Sequence, residues 1–135
     1  MSKRTRLHSE LSIFEWGMLE EWKKANRRVG RGYDHSVRVG TGVETESIEE
    51  KWLKKCIRAN SRLKIDCVVF DYVKPVMIIE VKRVAAVGSI GQLAGYKYLY
   101  DMEYKSNVGM LLLCKFASDD VKLLCDRFGI KVEIL

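Results

Sequence analysis

Two apolar segments near the middle of the chain, each interrupted by ionisable residues, constrain the fold more than any other feature. Residues 63–70 form a nearly continuous apolar strand that contains Asp66. Residues 76–84 form a second one that contains Glu80 and Lys82. A buried strand carries an ionised group only where that group is paired or binds a cation. The short segment between the strands predicts a turn, so we expect an antiparallel hairpin.

This hairpin places two carboxylates side by side. Asp66 lies seven residues before Val73 and Glu80 lies seven residues after it, so a turn centred near Val73 puts them opposite each other. Cross-strand Cβ atoms are about 5 Å apart, and carboxylates that close repel unless a cation lies between them. Oxygen ligands favour Mg²⁺ or Mn²⁺, and Lys82, on the same face as Glu80, suits an attacking water. The alternative is a plain ion pair of Lys82 with one carboxylate on a solvated face, which such apolar strands disfavour.

The remaining segments predict an α/β chain. Helices are predicted for residues 9–28, 46–59, 89–104 and 118–128, and strands for residues 36–39, 108–116 and 130–135. Ser12 and Glu15 match a capping box near the start of the first helix. We expect a mixed central sheet flanked by helices, in a single domain of 135 residues.

Positive charge is concentrated in the first half of the chain. The formal net charge is +6, and residues 1–64 hold 15 basic and 9 acidic side chains, against 9 of each in residues 65–135. This asymmetry suggests a polyanion such as DNA, although a solubilising surface has the same charge. The candidates for DNA contacts are a glycine- and arginine-rich segment and two further arginines: Arg27, Arg28, Arg31, Tyr33, Arg38 and Arg83.

Membrane and secreted classes are disfavoured by the apolar segments. The longest of them is far shorter than the roughly 20 residues of a transmembrane helix, and no apolar signal core follows the basic N-terminus. The four cysteines form no C-x-x-C pair and lie in apolar stretches: Cys56, Cys67, Cys114 and Cys125. We therefore expect reduced core cysteines and a cytoplasmic protein without contact to membranes.

The hairpin with Asp66 and the stretch Glu80-Val81-Lys82 resembles the core of the PD-(D/E)XK nuclease superfamily. The following helix contains Gln92-Leu93-Ala94-Gly95-Tyr96, which is similar to the Q-x-x-x-Y motif of the RecB-like branch. The stretch is also similar to archaeal mismatch endonucleases of the NucS type, and archaeal Holliday junction resolvases share this core. The resemblance covers residues 44–116 as a catalytic core, with residues 1–43 as a basic extension of helix and loop.

The resemblance implies a restriction-endonuclease-like fold and hydrolysis of DNA to 5′-phosphate and 3′-hydroxyl ends. It assigns Mg²⁺ or Mn²⁺ to Asp66, Glu80 and the carbonyl of Val81. It also implies that Lys82 serves the attacking water. Gln92 would help to position Lys82 or the scissile phosphate.

Some positions of the motif leave alternatives. Tyr96 would support the site or the DNA backbone, yet an aromatic residue there also suits the core face of its helix. Gln92 lies three residues after Ser89, which matches the spacing of a capping box. Ile65 stands where the name of the family has proline.

The helical glutamate of the family is ambiguous. Glu49 shares the buried stripe of the second predicted helix and is chosen as a catalytic residue and metal ligand, with Glu46 as the alternative. Glu20 or Glu21 would take this place if residues 36–39 form the first strand of the sheet.

We therefore expect a structure-selective nuclease that acts on Holliday junctions, flaps or single-stranded DNA. A homodimer would provide two symmetric cuts, and Tyr98, Leu99 and Tyr100 are a candidate surface for it or else part of the core. The alternative function is a non-catalytic nucleic-acid-binding module that retains the nuclease fold. An accessory subunit that docks an acidic protein is a third.

Overall fold

The computed structural model describes residues 11–40, 51 and 63–135. Its elements are helix α1 (Ile13–Ala25), strand β1 (Gly32–Val39), strand β2 (Leu63–Asp71), strand β3 (Lys74–Val84), helix α2 (Val87–Tyr104), strand β4 (Gly109–Phe116), helix α3 (Asp119–Arg127) and strand β5 (Ile130–Ile134). The elements expected in these ranges are present, with shifted ends. The helix expected over residues 46–59, and Glu46 and Glu49 with it, lies outside the described residues.

One mixed sheet of five strands, in the order β1-β2-β3-β4-β5, organises this part of the chain. Strands β1, β2 and β3 are antiparallel neighbours, whereas β3, β4 and β5 run parallel. Helices α2 and α3 make the crossovers that parallel strands require. The expected α/β architecture is confirmed. Helix α1 and strand β1, which were expected to form an extension, are part of this same layered structure.

The β2–β3 hairpin turns at Tyr72 and Val73. Tyr72 has a φ of 59°, in the left-handed region that tight hairpin turns use. Lys74 and Pro75 already belong to β3, although they were expected in the turn. Pro75 pairs at a register shift of the hairpin, which is where a sheet tolerates a residue without an amide hydrogen.

Each face of the sheet carries its own apolar core. On one face, the apolar stripe of α1 covers strand residues, the group being Trp16, Met18, Leu19, Trp22, Cys67, Val69, Ile79, Val81, Leu111 and Leu113. On the other face, α2 and α3 cover the sheet with residues that include Leu93, Tyr96, Tyr100, Val121 and Cys125. The hairpin strands β2 and β3 therefore lie between α1 on one face of the sheet and α2 on the other.

Helix ends follow the capping residues of the sequence. Ser12 Oγ accepts a hydrogen bond from the Glu15 amide at 3.1 Å, and Glu15 Oε1 accepts one from the Ser12 amide, so the expected capping box is confirmed. Ser118 Oγ caps α3 by accepting a hydrogen bond from the Val121 amide at 3.2 Å. Gly129 follows α3 with a φ of 71°, a conformation that favours glycine.

None of the described helices is both long enough and apolar enough to cross a membrane. Cys67, Cys114 and Cys125 are buried and free. Burial is the main cause that raises the pKa of Cys67 to about 12, so this thiol stays neutral within the core. Cys56 lies outside the described residues.

Candidate active site

The hairpin register brings Asp66 next to Glu80. Cys67 pairs with Ile79, and Val68 with Ile78. Continued by one residue beyond the pair of Cys67 with Ile79, the same register leads to Asp66 and Glu80. The Asp66 carboxyl group is close enough to Glu80 to act on its pKa.

Asp66 also binds the backbone of the opposite strand. Its Oδ2 accepts a hydrogen bond from the Val81 amide at 2.8 Å. In an extended strand the amide and the carbonyl of one residue point to the same edge. The Val81 carbonyl is therefore directed to the side on which Asp66 lies, which suits its expected role as a third oxygen ligand.

Side-chain alternation in β2 is interrupted at Asp66. Ile65 packs in the core under α2, whereas Cys67 packs in the core under α1, although residues two apart on a regular strand share a face. On the neighbouring strand Ser36 has a φ of 52°, and the β1–β2 register omits Ser36 and Asp66. Such irregularities re-aim side chains, and this one turns the Asp66 carboxylate toward β3.

Glu80 is a buried acidic residue, with 3% of its surface exposed. Burial, followed by the hydrogen bond and the charge of Asp66, raises the pKa of Glu80 to about 9, whereas the charge of Lys82 lowers it. Its Oε2 has no hydrogen-bond partner among the described residues. An unpartnered carboxyl oxygen beside a second carboxylate and a backbone carbonyl fits a hard divalent cation such as Mg²⁺ or Mn²⁺. Within residues 11–40, 51 and 63–135, no three His, Cys, Asp or Glu side chains group to hold a metal.

Lys82 and Tyr96 adjoin the two carboxylates. Lys82 is half-buried two residues after Glu80, and its charge acts on that residue. Burial, and then the charges of Glu80 and Asp66, raise the pKa of Tyr96 to about 12. Tyr96 is also part of the core under α2. It therefore both packs in the core and interacts with the site.

The start of α2 tests the alternative interpretation of Gln92 as a residue that caps the helix. Ala86 is the N-cap residue, and its amide donates to Ser89 Oγ at 3.4 Å. Gln92 therefore lies in the second turn, and the capping alternative for it is wrong. Its side chain is exposed one turn before Tyr96.

A glutamate of α1, Glu15, lies near the site, although the sequence indicates only a capping role for it. The charge of Glu15 contributes to the raised pKa of Glu80. Strand β1 is an edge strand of the sheet, the arrangement in which α1 was expected to supply the glutamate. Glu20, however, pairs with Lys23 at 3.3 Å, and Glu21 is exposed. The sequence does not point to Glu15 as a residue of the site, because the spacing of residues along the chain does not show that α1 packs near β3.

The basic candidates are dispersed over the structure. Arg27 and Arg28 are exposed beyond α1, and Arg38 is half-buried on β1. Arg31 Nε pairs with Asp71 Oδ1 at 3.1 Å. Arg83 is exposed and directly follows Lys82 in β3.

The structure places Tyr33 on a strand and divides the candidate dimer residues between the surface and the core. Tyr33 belongs to β1, and Lys23 Nζ lies 4.6 Å from its ring centroid, on the ring expected to stack on a base. Tyr98 is exposed, Leu99 is half-buried and Tyr100 is buried in the core. Of these three residues, Tyr98 is therefore the one most available for a contact between two copies of the chain.

No family model matches the chain, and no curated protein matches it significantly. It is similar to the crystal structure of a repair endonuclease from Pyrococcus abyssi, with a TM-score of 0.54 and 19% identity. It is also similar to the structure of an EndoMS–dsDNA2 complex, with a TM-score of 0.52 and 18% identity. Both alignments cover 93% of this chain but only 47% and 46% of the other chains, so the chain spans about half their length. The chain therefore has a fold in common with this repair endonuclease and with EndoMS.

Proposed function

We propose that the chain is a divalent-metal-dependent nuclease that hydrolyses DNA phosphodiester bonds to 5′-phosphate and 3′-hydroxyl ends. The observation that carries this proposal is the meeting of Asp66 and Glu80 at the end of the hairpin pairing, with Lys82 beside them. The fold in common with a repair endonuclease, and with a protein solved on double-stranded DNA, supports it.

Each site residue has a defined task in this proposal. Asp66, Glu80 and the Val81 carbonyl would hold Mg²⁺ or Mn²⁺, which screens the charge on the phosphate and polarises a water. The Lys82 amine orients the attacking water and stabilises developing negative charge. The Tyr96 hydroxyl keeps its proton at neutral pH and serves as a hydrogen-bond donor at the rim of the site.

Two glutamates compete for the helical acidic position. Glu49 lies outside the described residues, whereas the charge of Glu15 reaches Glu80. Substitution of each by glutamine distinguishes them, because loss of a metal ligand raises the concentration of Mg²⁺ needed for half-maximal cleavage.

We further propose that the enzyme selects DNA by structure, with Holliday junctions, flaps and single strands as the candidates. A homodimer with two symmetric sites would suit a junction, and the exposed Tyr98 on α2 is its candidate contact. Sedimentation of the wild type and Tyr98→Glu tests the dimer, which the substitution should dissociate.

The deciding experiment is cleavage of labelled single-stranded, duplex, flap and four-way-junction DNA with Mg²⁺ or Mn²⁺. Asp66→Asn and Glu80→Gln should abolish cutting, as should EDTA. Asp126→Asn is the matched control, because it removes an exposed acidic charge from α3. Salt-sensitive binding without cutting on any substrate would contradict the proposal and leave the non-catalytic binding module.

A further inference from the structure

The first turn of α1 presents apolar side chains to solvent. Ile13 has 67% of its surface exposed, and Phe14 has 46% exposed. The next residue, Glu15, acts electrostatically on Glu80. A single exposed apolar residue is common on a protein surface, but Phe14 also stacks against a basic side chain.

Arg83 connects Phe14 to the strand that carries the site. Its guanidinium carbon lies 5.2 Å from the centroid of the Phe14 ring. Arg83 directly follows Lys82 in β3 and, two residues after Val81, lies on the face of the strand that α1 covers, whereas Glu80 and Lys82 lie on the other face. A guanidinium that stacks on an aromatic ring still presents N–H donors at its edge, and these suit a phosphate.

We propose that Phe14 stacks on an unpaired base of the DNA substrate while Arg83 binds a neighbouring backbone phosphate. This inference rests on the proposed nuclease function. An aromatic ring combined with a basic group is the arrangement that proteins use to hold single-stranded nucleic acid. Charge complementarity also favours DNA here, because Lys82 and Arg83 are consecutive cations near the end of β3.

Geometry determines that the base stacked on Phe14 is an unpaired one. A base within a duplex is stacked on both faces by its neighbours, so a protein ring reaches its face only after the base leaves the stack. Flaps, junctions and single strands offer such bases without the cost of unpairing. Stacking on an aromatic ring tolerates every base, so Phe14 selects DNA by its structure and not by its sequence.

Binding of the full chain to DNA tests this inference. The DNA carries 2-aminopurine at successive positions of a single strand and of a matched duplex, and Glu80→Gln in every protein prevents cleavage. Phe14→Ala should weaken single-strand binding by about 5- to 100-fold and abolish quenching at one position, the effect of losing one stack. Duplex binding should change by less than about twofold, since a paired base cannot reach the ring.

Three further variants separate stacking from other effects. Phe14→Tyr should retain the quenching, whereas Phe14→Leu, which keeps the apolar surface, should lose it. Phe128→Ala is the matched control, because Phe128 is 57% exposed at the end of α3. Thermal unfolding of each variant verifies that the fold is retained.

Two outcomes contradict the inference, and they are distinguishable. If Phe14→Ala binds the single strand and quenches like the wild type, while the wild type cuts DNA, the stacking role is wrong and the nuclease proposal stands. If the wild type neither binds nor cuts any of these DNAs, both proposals are wrong.

Discussion

The Asp66 carboxylate and the Val81 amide are joined by a hydrogen bond of 2.8 Å where the backbone pairing of β2 with β3 ends. A side-chain oxygen thus satisfies a buried amide that the strand ladder leaves without a partner. The same carboxyl group acts on the neighbouring Glu80 and raises its pKa. Asp66 therefore combines a structural and a chemical role, and substitutions can separate the two.

Asp66→Asn and Asp66→Ala should both abolish cleavage but differ in stability. The asparagine oxygen can still accept the hydrogen bond from Val81, whereas alanine leaves the buried amide unpaired, at a cost of about 1–3 kcal/mol. Urea unfolding of the metal-free variants measures this difference. Equal stability of the two variants would show that the hydrogen bond contributes nothing to the fold.

Glu80→Gln should inactivate the enzyme and stabilise the metal-free protein at alkaline pH. The folded-state pKa of Glu80, about 9, lies above its ordinary value, so the fold favours the protonated form. Its contribution to stability is complete at acidic pH and is lost as the pH rises toward 9. Glutamine cannot ionise, so the variant avoids this loss, which amounts to at most about 1.4 kcal/mol for each pH unit.

Thermal unfolding in EDTA at pH 5 and pH 8 measures this effect. The melting temperature of the variant should exceed that of the wild type at pH 8, and this difference should be smaller at pH 5. Added Mg²⁺ should raise the melting temperature of the wild type only. A variant less stable than the wild type at pH 8 would contradict the burial of an ionisable Glu80.

The sequence is sufficient to predict the central hairpin but not what surrounds it. Strand alternation and a short turn leave few registers, and this predicts that Asp66 faces Glu80. The approach of Glu15 to the same place depends on how Trp16 and Trp22 pack across the sheet. That contact joins segments distant in sequence, so no local pattern contains it.

Strand β1 shows the same limit. Its first residues, Gly32 and Tyr33, continue a glycine- and arginine-rich segment that resembles a loop, yet they pair with Phe70 and Val69. An edge strand takes its structure largely from the neighbour that it pairs with, and less from its own composition. The pairing also places Tyr33 against Lys23, which the sequence does not indicate.

Gln92→Ala should lower the rate of cleavage about 10- to 100-fold, as expected for a residue that positions reacting groups. Because Gln92 is exposed and does not cap α2, the free energy of unfolding should change by no more than about 0.5 kcal/mol. Single-turnover cleavage and urea unfolding measure the two effects. Met102→Ala is the control for an exposed residue on the same helix, and an equal loss of rate there would contradict a specific role of Gln92.

A polar network fixes the connection from α2 to β4, the strand next to β3. Lys97 Nζ donates to Asp101 Oδ2 at 2.7 Å, and to Asn107 Oδ1 and the Val108 carbonyl at 2.8 Å each. Asp101 Oδ1 accepts hydrogen bonds from Ser106 Oγ at 2.8 Å and from the Val108 amide at 3.0 Å. One carboxylate thus orders both the end of the helix and the entry to the strand.

Asp101→Asn should therefore destabilise the protein at neutral pH by about 1–3 kcal/mol. Burial alone would raise the pKa of Asp101, but hydrogen bonds from Lys97, Val108 and Ser106 lower it. A carboxylate whose pKa is lowered in the fold stabilises above its ordinary pKa, and that stability is lost as the pH falls through the folded-state value. Urea unfolding at pH 7 and pH 3 measures this effect. The difference in the free energy of unfolding between variant and wild type should be smaller at pH 3 than at pH 7. A difference of equal size at both pH values would exclude the charge of Asp101 as its cause.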